Sequence, residues 1–421
     1  MLIFDQPTRA AAADDFGHLV HRTPHAVVRP TSARDVASAV RWAADHGLRL
    51  APQGRRHSVF GRSQVDGGIV ADMTALRTVH AVEDDRVLVD AGATWRDVLA
   101  ETLPRVPAGL PDYLDLSVGG TLAVGGVGAR ISRTGALSDN VLDVEVVTGR
   151  GEILMCSRDE HAELFDAVRA GLGQVGVVTR VTLALVPLAA TVRRHLLVYP
   201  DLSTMLADQR LLAGDGRFAA AQGAVLADGT FRLDAVADTH ADLAGLSDDR
   251  SQAQVGTMTQ LDHLDRLAQL ERALRANGQW ALPHPWLTTF VGDAQVEAVV
   301  AAELDRLTPA DLGPFGQVVV SAFRRRSVTT PLLRLPADDL CFTFNLIRIP
   351  ATGDPAGRLV AANRGGYERV RAAGGTLYPA SAVPMSPEDW REHYGPAFDR
   401  FGAAKKEFDP DHVLTPGYEV F

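Results

Sequence analysis

Two hydrophobic periods alternate along the first 190 residues. Val36, Ala39, Val40 and Ala43 recur at helical spacing, with Ser32-Ala33-Arg34-Asp35 as a capping box at one end and Gly47 as the stop at the other. Residues 94–103 repeat the pattern, with Thr94 and Asp97 as the box. Short apolar runs at 48–51, 68–72 and 86–90 predict strands. Further on, 141–148 and 152–156 read as paired strands joined by Gly149-Arg150-Gly151, 160–170 as a helix, and 177–185 as a strand rich in β-branched residues. Regular texture weakens beyond Pro187. From about 190 to 370, strand-like runs (219–225, 317–323, 340–349) alternate with amphipathic segments such as 263–276, which predicts a separate domain packed on the first.

Length agrees with that division, because 421 residues exceed the roughly 250–300 at which a single core stops growing. A formal charge of −10 with no basic block excludes a nucleic-acid surface. The two cysteines, Cys156 and Cys341, give no disulfide framework and no zinc spacing, and Cys156 reads as a small core hydrophobe. The first fifteen residues lack a sustained apolar stretch, and no run of about 18 apolar residues occurs. The expectation is a cytoplasmic protein without a membrane span.

Two stretches carry candidate chemistry. His57 lies in the loop Pro52-Gln53-Gly54-Arg55-Arg56-His57-Ser58-Val59-Phe60-Gly61, between strand-like runs, where backbone N–H groups can face a pyrophosphate. Downstream, Pro111-Asp112-Tyr113-Leu114 leads into a segment with five glycines between 119 and 128, which suits close approach of backbone to a flat ligand or a turn packed for its own sake. Gly171-Leu172-Gly173-Gln174-Val175-Gly176 satisfies G-x-G-x-x-G, but it follows a predicted helix and precedes a strand, the reverse of a Rossmann site. It reads as a helix end and tight turn. His18, His21 and His25 do not suggest a metal, since Pro24 breaks any shared helix face. The run 321–326 reads as a strand ending in a solvated basic edge. Arg348, placed inside a strand, could hold an anionic substrate or a core ion pair.

The His57 loop, Asp112-Tyr113-Leu114 with Gly119-Gly120-Thr121-Leu122, the Gly149-Arg150-Gly151-Glu152 hairpin, Gly171-Leu172-Gly173-Gln174, Pro283-His284-Pro285-Trp286-Leu287, Phe408-Asp409-Pro410 and Leu414-Thr415-Pro416-Gly417 together resemble the vanillyl-alcohol-oxidase type of FAD enzyme, and most of all the cytokinin dehydrogenases. The resemblance implies an α+β, two-domain PCMH-type FAD-binding fold: an FAD domain over 1–190, a mixed-sheet substrate cap over 191–369, and a segment from 370 to 421 returning to the FAD domain. It also implies FAD joined covalently through His57, with Gly54, Arg55, Arg56, Ser58 and Gly61 around it. Ser117, Gly119, Gly120 and Thr121 would line the cofactor, Val177 or Val178 would lie beside its adenine half, and Tyr378, Thr415 and Tyr418 would contact it. Asp112 matches the catalytic aspartate, with capping of a local turn after Pro111 as its structural alternative.

The chemistry implied is hydride transfer to flavin N5 from a C–H next to nitrogen, with Asp112 taking the neighbouring proton and oxygen or a quinone as electron acceptor. Oxidation of an alcohol or sugar hydroxyl, on a secondary metabolite for example, is the alternative. A non-redox cyclisation using flavin as a scaffold is a third class. No cysteine falls between 112 and 120, so a second flavin tether is not expected. Two departures concern the substrate: Leu110 stands where plant cytokinin dehydrogenases have an aromatic residue, and Gln222 where they have a glutamate.

Overall fold

The computed structural model describes residues 1–350 and 356–421. Near the N-terminus, strands Ala26–Val28, Ile69–Asp72 and Leu50–Gln53 lie side by side in parallel, with Leu2–Ile3 antiparallel at the edge. The helix Ala33–Asp45 buries Val36, Ala37, Ala39, Val40 and Ala43 against Leu50, Ile69 and Ala71 of this sheet. Ser32 Oγ accepts from Asp35 N–H, but the Asp35 carboxylate turns back to Thr31, so only half of the expected box forms. The strand after the helix starts at Leu50 rather than 48, because Leu48 N–H still bonds to Ala43 C=O around Gly47 at φ +63°.

A second sheet runs Val79–Val82, Arg86–Asp90, Gly176–Pro187, Val141–Thr148, Ile153–Ser157, with Arg105–Pro107 added on the long strand. All its pairings are antiparallel. The helix Trp95–Thr102 carries the complete Thr94–Asp97 capping box, and Cys156 is buried in the core. The G-x-G-x-x-G segment sits between helix Ala162–Val168 and strand Gly176–Pro187, as its order predicts. Its turn bonds through Ala170 N–H and Leu172 N–H to the carbonyls of Leu122 and Ala123.

The middle of the chain forms an antiparallel eight-stranded sheet, more regular than the sequence texture suggests. Its order is Gln254–Thr259, Thr191–Tyr199, Phe231–Ala237, Ala220–Leu226, Gln317–Arg324, Leu340–Ile347, Leu287–Gly292, Thr376–Leu377. The amphipathic segment 263–276 is two helices, Gln260–Leu264 and Leu267–Ala276, broken at Asp265-Arg266. The strand expected to reach 349 stops at Ile347. Arg348 therefore lies past its end, buried, with Nη1 3.4 Å from the Asp311 carbonyl and its own carbonyl accepting from Trp286 Nε1. That places it in the core of the second module.

The helix Ala356–Ala372 runs across position 370, and Thr376–Leu377 still belongs to the eight-stranded sheet, so the chain leaves that sheet after Leu377. The tail then docks on the first module: Leu414 bridges Leu50 in parallel, and Gly149 N–H bonds to Phe408 C=O. A buried ion pair pins it. Lys405 Nζ lies 2.6 Å from Asp409 Oδ2 and donates to Gln174 C=O, while the Asp409 carboxylate also accepts from Val413 and Leu414 N–H. Among the described residues no helix is long and apolar enough to cross a membrane.

Candidate active site

The His57 loop is held open by a residue the sequence pattern did not reveal. Asp15 is buried and accepts from Ser58 Oγ, Gly61 N–H and Gly17 N–H at 2.7, 2.7 and 3.0 Å. Phe16 N–H bonds to Arg56 C=O and Gly17 N–H to Ser58 C=O, so residues 15–17 run along the loop as a template on both sides of His57. Gly17 and Val59 touch so closely that a Cβ on Gly17 would fall 2.2 Å from the Val59 carbonyl oxygen. Two acidic residues before a lone Phe gave no periodic signal.

Burial pushes the Asp15 carboxyl up to about 6, against the lowering effect of its hydrogen bonds. Its folded value stands above the unfolded 3.8, so the stability it contributes is complete below pH 3.8 and is lost as pH rises through about 6. Asp15→Asn is expected to remove up to about 3 kcal/mol of pH dependence in that window. Urea unfolding from pH 4 to 6.5 checks this, and parallel curves for the two proteins would contradict it.

Beside this loop opens a cavity of about 770 Å³, lined in part by Gln53, Gly54, Arg55, Arg56, His57 and Tyr113. The N–H groups of Arg55, Arg56 and His57 donate to no protein acceptor among the described residues, and Arg56 takes φ +54°. Successive unsatisfied amides of this kind form a nest for an anion such as a pyrophosphate. Gly54 backs onto Ser117, where a Cβ would meet Ser117 Oγ at 2.1 Å, and Gly119 lies against Ala91, where a Cβ would fall 2.9 Å from the alanine methyl. Gly54 thus brings the two motifs into contact, and Gly119 seats the glycine segment on Ala91. Cradle and cavity fit a dinucleotide cofactor with an extended, flat headgroup.

The His57 ring is half-buried among aromatic rings, with Phe16 stacked at 4.2 Å and Tyr113 at 4.6 Å between centroids. Desolvation, reinforced by His284, pushes its imidazole down to about 3, so it is neutral at physiological pH.

The remaining sequence-predicted residues fall into three groups. Ser117 precedes the short helix Val118–Ala123 without a side-chain capping bond, and Gly120 and Thr121 lie within that helix; Thr121 Oγ1 donates to Ser117 C=O and accepts from Trp95 Nε1, which commits it to the scaffold. Tyr378 faces the backbone N–H groups of Gly126 and Val127, and burial pushes its phenol up to about 12. Tyr418 lies under Arg62, whose guanidinium is 5.1 Å from the ring centroid, and Arg22 Nη1 ties Gly61 C=O to Gly417 C=O. The third group belongs to the scaffold and does not line the cavity: Val177 is buried in a cluster with Leu50 and Leu414, Val178 pairs with Val146, and Thr415 spends its hydroxyl on Gly173 C=O.

Asp112 stands apart from the cavity wall, on the seam between the two modules. Its Oδ1 accepts from Ala129 N–H at 3.2 Å and from Arg266 Nη2 at 2.8 Å. Both partners are distant in sequence, so the carboxylate caps no turn after Pro111. Arg266 also donates to His263 C=O at the helix break. The apolar stripe of 263–276 concealed it.

Parallel strands feeding a loop of unsatisfied amides, with a glycine segment against that loop, are compatible with a flavin-dependent oxidoreductase, the class that the comparisons with known proteins show. Residues 24–157 match the model of an FAD binding domain, and residues 232–421 match a model described as cytokinin dehydrogenase 1, FAD and cytokinin binding. An uncharacterized oxidoreductase, ORF5 in the fasciation locus of Rhodococcoides fascians, is 38% identical over 97% of this chain and 96% of its own. Cytokinin dehydrogenase 10 of Oryza sativa subsp. japonica is 30% identical over 99% and 88%, and cytokinin dehydrogenase 2 of Arabidopsis thaliana 29% over 98% and 92%. The chain belongs to the FAD-dependent oxidoreductases of the cytokinin dehydrogenase type, with their two-domain α+β fold.

Proposed function

We propose that this enzyme oxidises a secondary amine of the cytokinin kind to an imine, which water then hydrolyses, with FAD tethered through His57 and Asp112 as the proton acceptor. The observation that carries the reading is the position of Asp112, whose carboxylate is presented at the inter-module seam by two partners rather than sealed in a turn. FAD, when bound, supplies the two-electron acceptor for hydride from the C–H next to nitrogen, and oxygen or a quinone takes the electrons onward.

The chain's own residues do the rest. The amides of Arg55, Arg56 and His57 would hold the pyrophosphate, and Gly54 and Gly119 let the cradle pack tightly on Ser117 and Ala91. Tyr378 and Tyr418 lie where the second module and the tail meet the flavin domain, and with Asp15 holding the loop they fix the ring's surroundings and exclude water. Asp112 accepts the substrate N–H in competition with Arg266, so substrate entry loosens that ion pair.

Oxidation of an alcohol or sugar hydroxyl remains the second reading, favoured by Gln222. This neutral amide lies opposite Asp234 in the second-module sheet, and Asp234 is already held by Arg194. Anaerobic mixing with cytokinins, other secondary amines and matched alcohols tests the two readings. Bleaching of the flavin by amines supports the first reading, and bleaching by alcohols alone overturns it. Any substrate-dependent bleaching excludes a purely structural flavin.

A further inference from the structure

Phe16 lies between two imidazoles. His57 stacks on one face at 4.2 Å and 20°, and His284 on the other at 3.9 Å and 18°. The two histidines come from different modules: His57 from the first, and His284 from the second, just before strand Leu287–Gly292. His284 is fully buried and locked in place, since its Nδ1 donates to Phe16 C=O at 2.8 Å and its backbone N–H to Gly17 C=O at 2.9 Å. A carbonyl can only accept, so Nδ1 carries the hydrogen; Nε2, also buried, has no partner among the described residues. Trp280 and Trp286 close the sides of the Phe16 ring at 4.8 and 5.2 Å.

We propose that His284 acts through Phe16 as a positioning residue for covalent attachment of the flavin, aligning the His57 ring with the flavin 8α carbon, so that the second module must be docked before the tether forms. This rests on the reading of His57 as the tether. In the attachment step a His57 nitrogen forms a bond to the 8α carbon. One 8α C–H breaks and the imidazole N–H proton is lost. The electron pair of the C–H bond reduces the isoalloxazine by two electrons, and the two protons accompany it. Dioxygen then reoxidises the flavin and leaves as hydrogen peroxide. His57 must therefore be neutral and fixed in one plane. The stack supplies the plane, and burial keeps both imidazoles uncharged, His57 pushed down to about 3 and His284 to about 4.

The test separates binding from tethering. Wild type, Phe16→Leu and His284→Asn are expressed under restricted riboflavin and incubated with FAD. At intervals, total bound flavin and the fraction surviving acid denaturation are measured, with thermal unfolding as a check on folding. Leucine keeps an apolar side chain and the backbone bonds of Phe16 without the ring, and asparagine keeps the donor to Phe16 C=O without the imidazole. The expected result is near-normal total flavin with tethering several-fold slower in both variants. Equal tethering rates in folded variants would overturn the proposal, and if one variant fails to fold the other decides. Wild-type protein that binds FAD but releases all of it in acid would refute the tether itself, a failure distinct from that of the stack.

Discussion

Asp112→Asn is expected to slow flavin reduction by its substrate about a hundred- to ten-thousand-fold, the usual contribution of a positioned general base. Asparagine keeps the size of the side chain and can still accept from Ala129 N–H, so the loop stays in place. It cannot take a proton, and it cannot form the charged pair with Arg266. The loss should fall on kcat, with total flavin unchanged. Stopped-flow bleaching under anaerobic conditions measures it, and a variant within a few-fold of wild type would remove Asp112 from the chemistry.

The second large effect concerns the tail. Lys405 and Asp409 are almost completely shielded from solvent and joined at 2.6 Å. Replacing Lys405 by methionine keeps most of the stem's packing and leaves Asp409 as a buried charge compensated, among the described residues, by the Val413 and Leu414 amides alone. Removing one partner of such a pair costs about 3–5 kcal/mol. The strand bridge at Leu414 and the segment bearing Thr415 and Tyr418 hang on this pair, so flavin affinity should fall together with stability. Urea unfolding and FAD titration of Lys405→Met check both. A change below about 1 kcal/mol, within the ordinary range for a surface pair, would show that the tail is held elsewhere.

The first module was legible because its signals are local. Capped helices at Ser32 and Thr94, the Gly149–Gly151 hairpin and the reversed glycine motif at 171–176 all depend on neighbouring residues, and each has the predicted form or nearly so. Strand ends slipped where a neighbouring element competed: the helix end claimed Leu48, and the second-module core took Arg348.

The eight-stranded sheet was poorly legible. Strands such as Gln254–Thr259 are largely exposed, and amphipathic helices interrupt them, so neither period dominates. The motifs single out His57 and Asp112 as candidates, but the residues that hold them in place leave no local signal. The contacts of Asp15 with Ser58 and Gly61, Phe16 with His57, Arg62 with Tyr418, Arg266 with Asp112 and His284 with Phe16 all join residues far apart in the chain, and no local pattern marks them. Some of the motif residues, Thr121 and Thr415 among them, spend their side chains on the scaffold that carries the cradle.

The most direct test of the account is the fate of the flavin after acid denaturation of the wild-type protein and of His57→Ala. Flavin absorbance that stays with the wild-type polypeptide and is absent from the variant polypeptide is the predicted result. Flavin released from both proteins would contradict attachment at His57 and return the aromatic stack around it to a purely structural role.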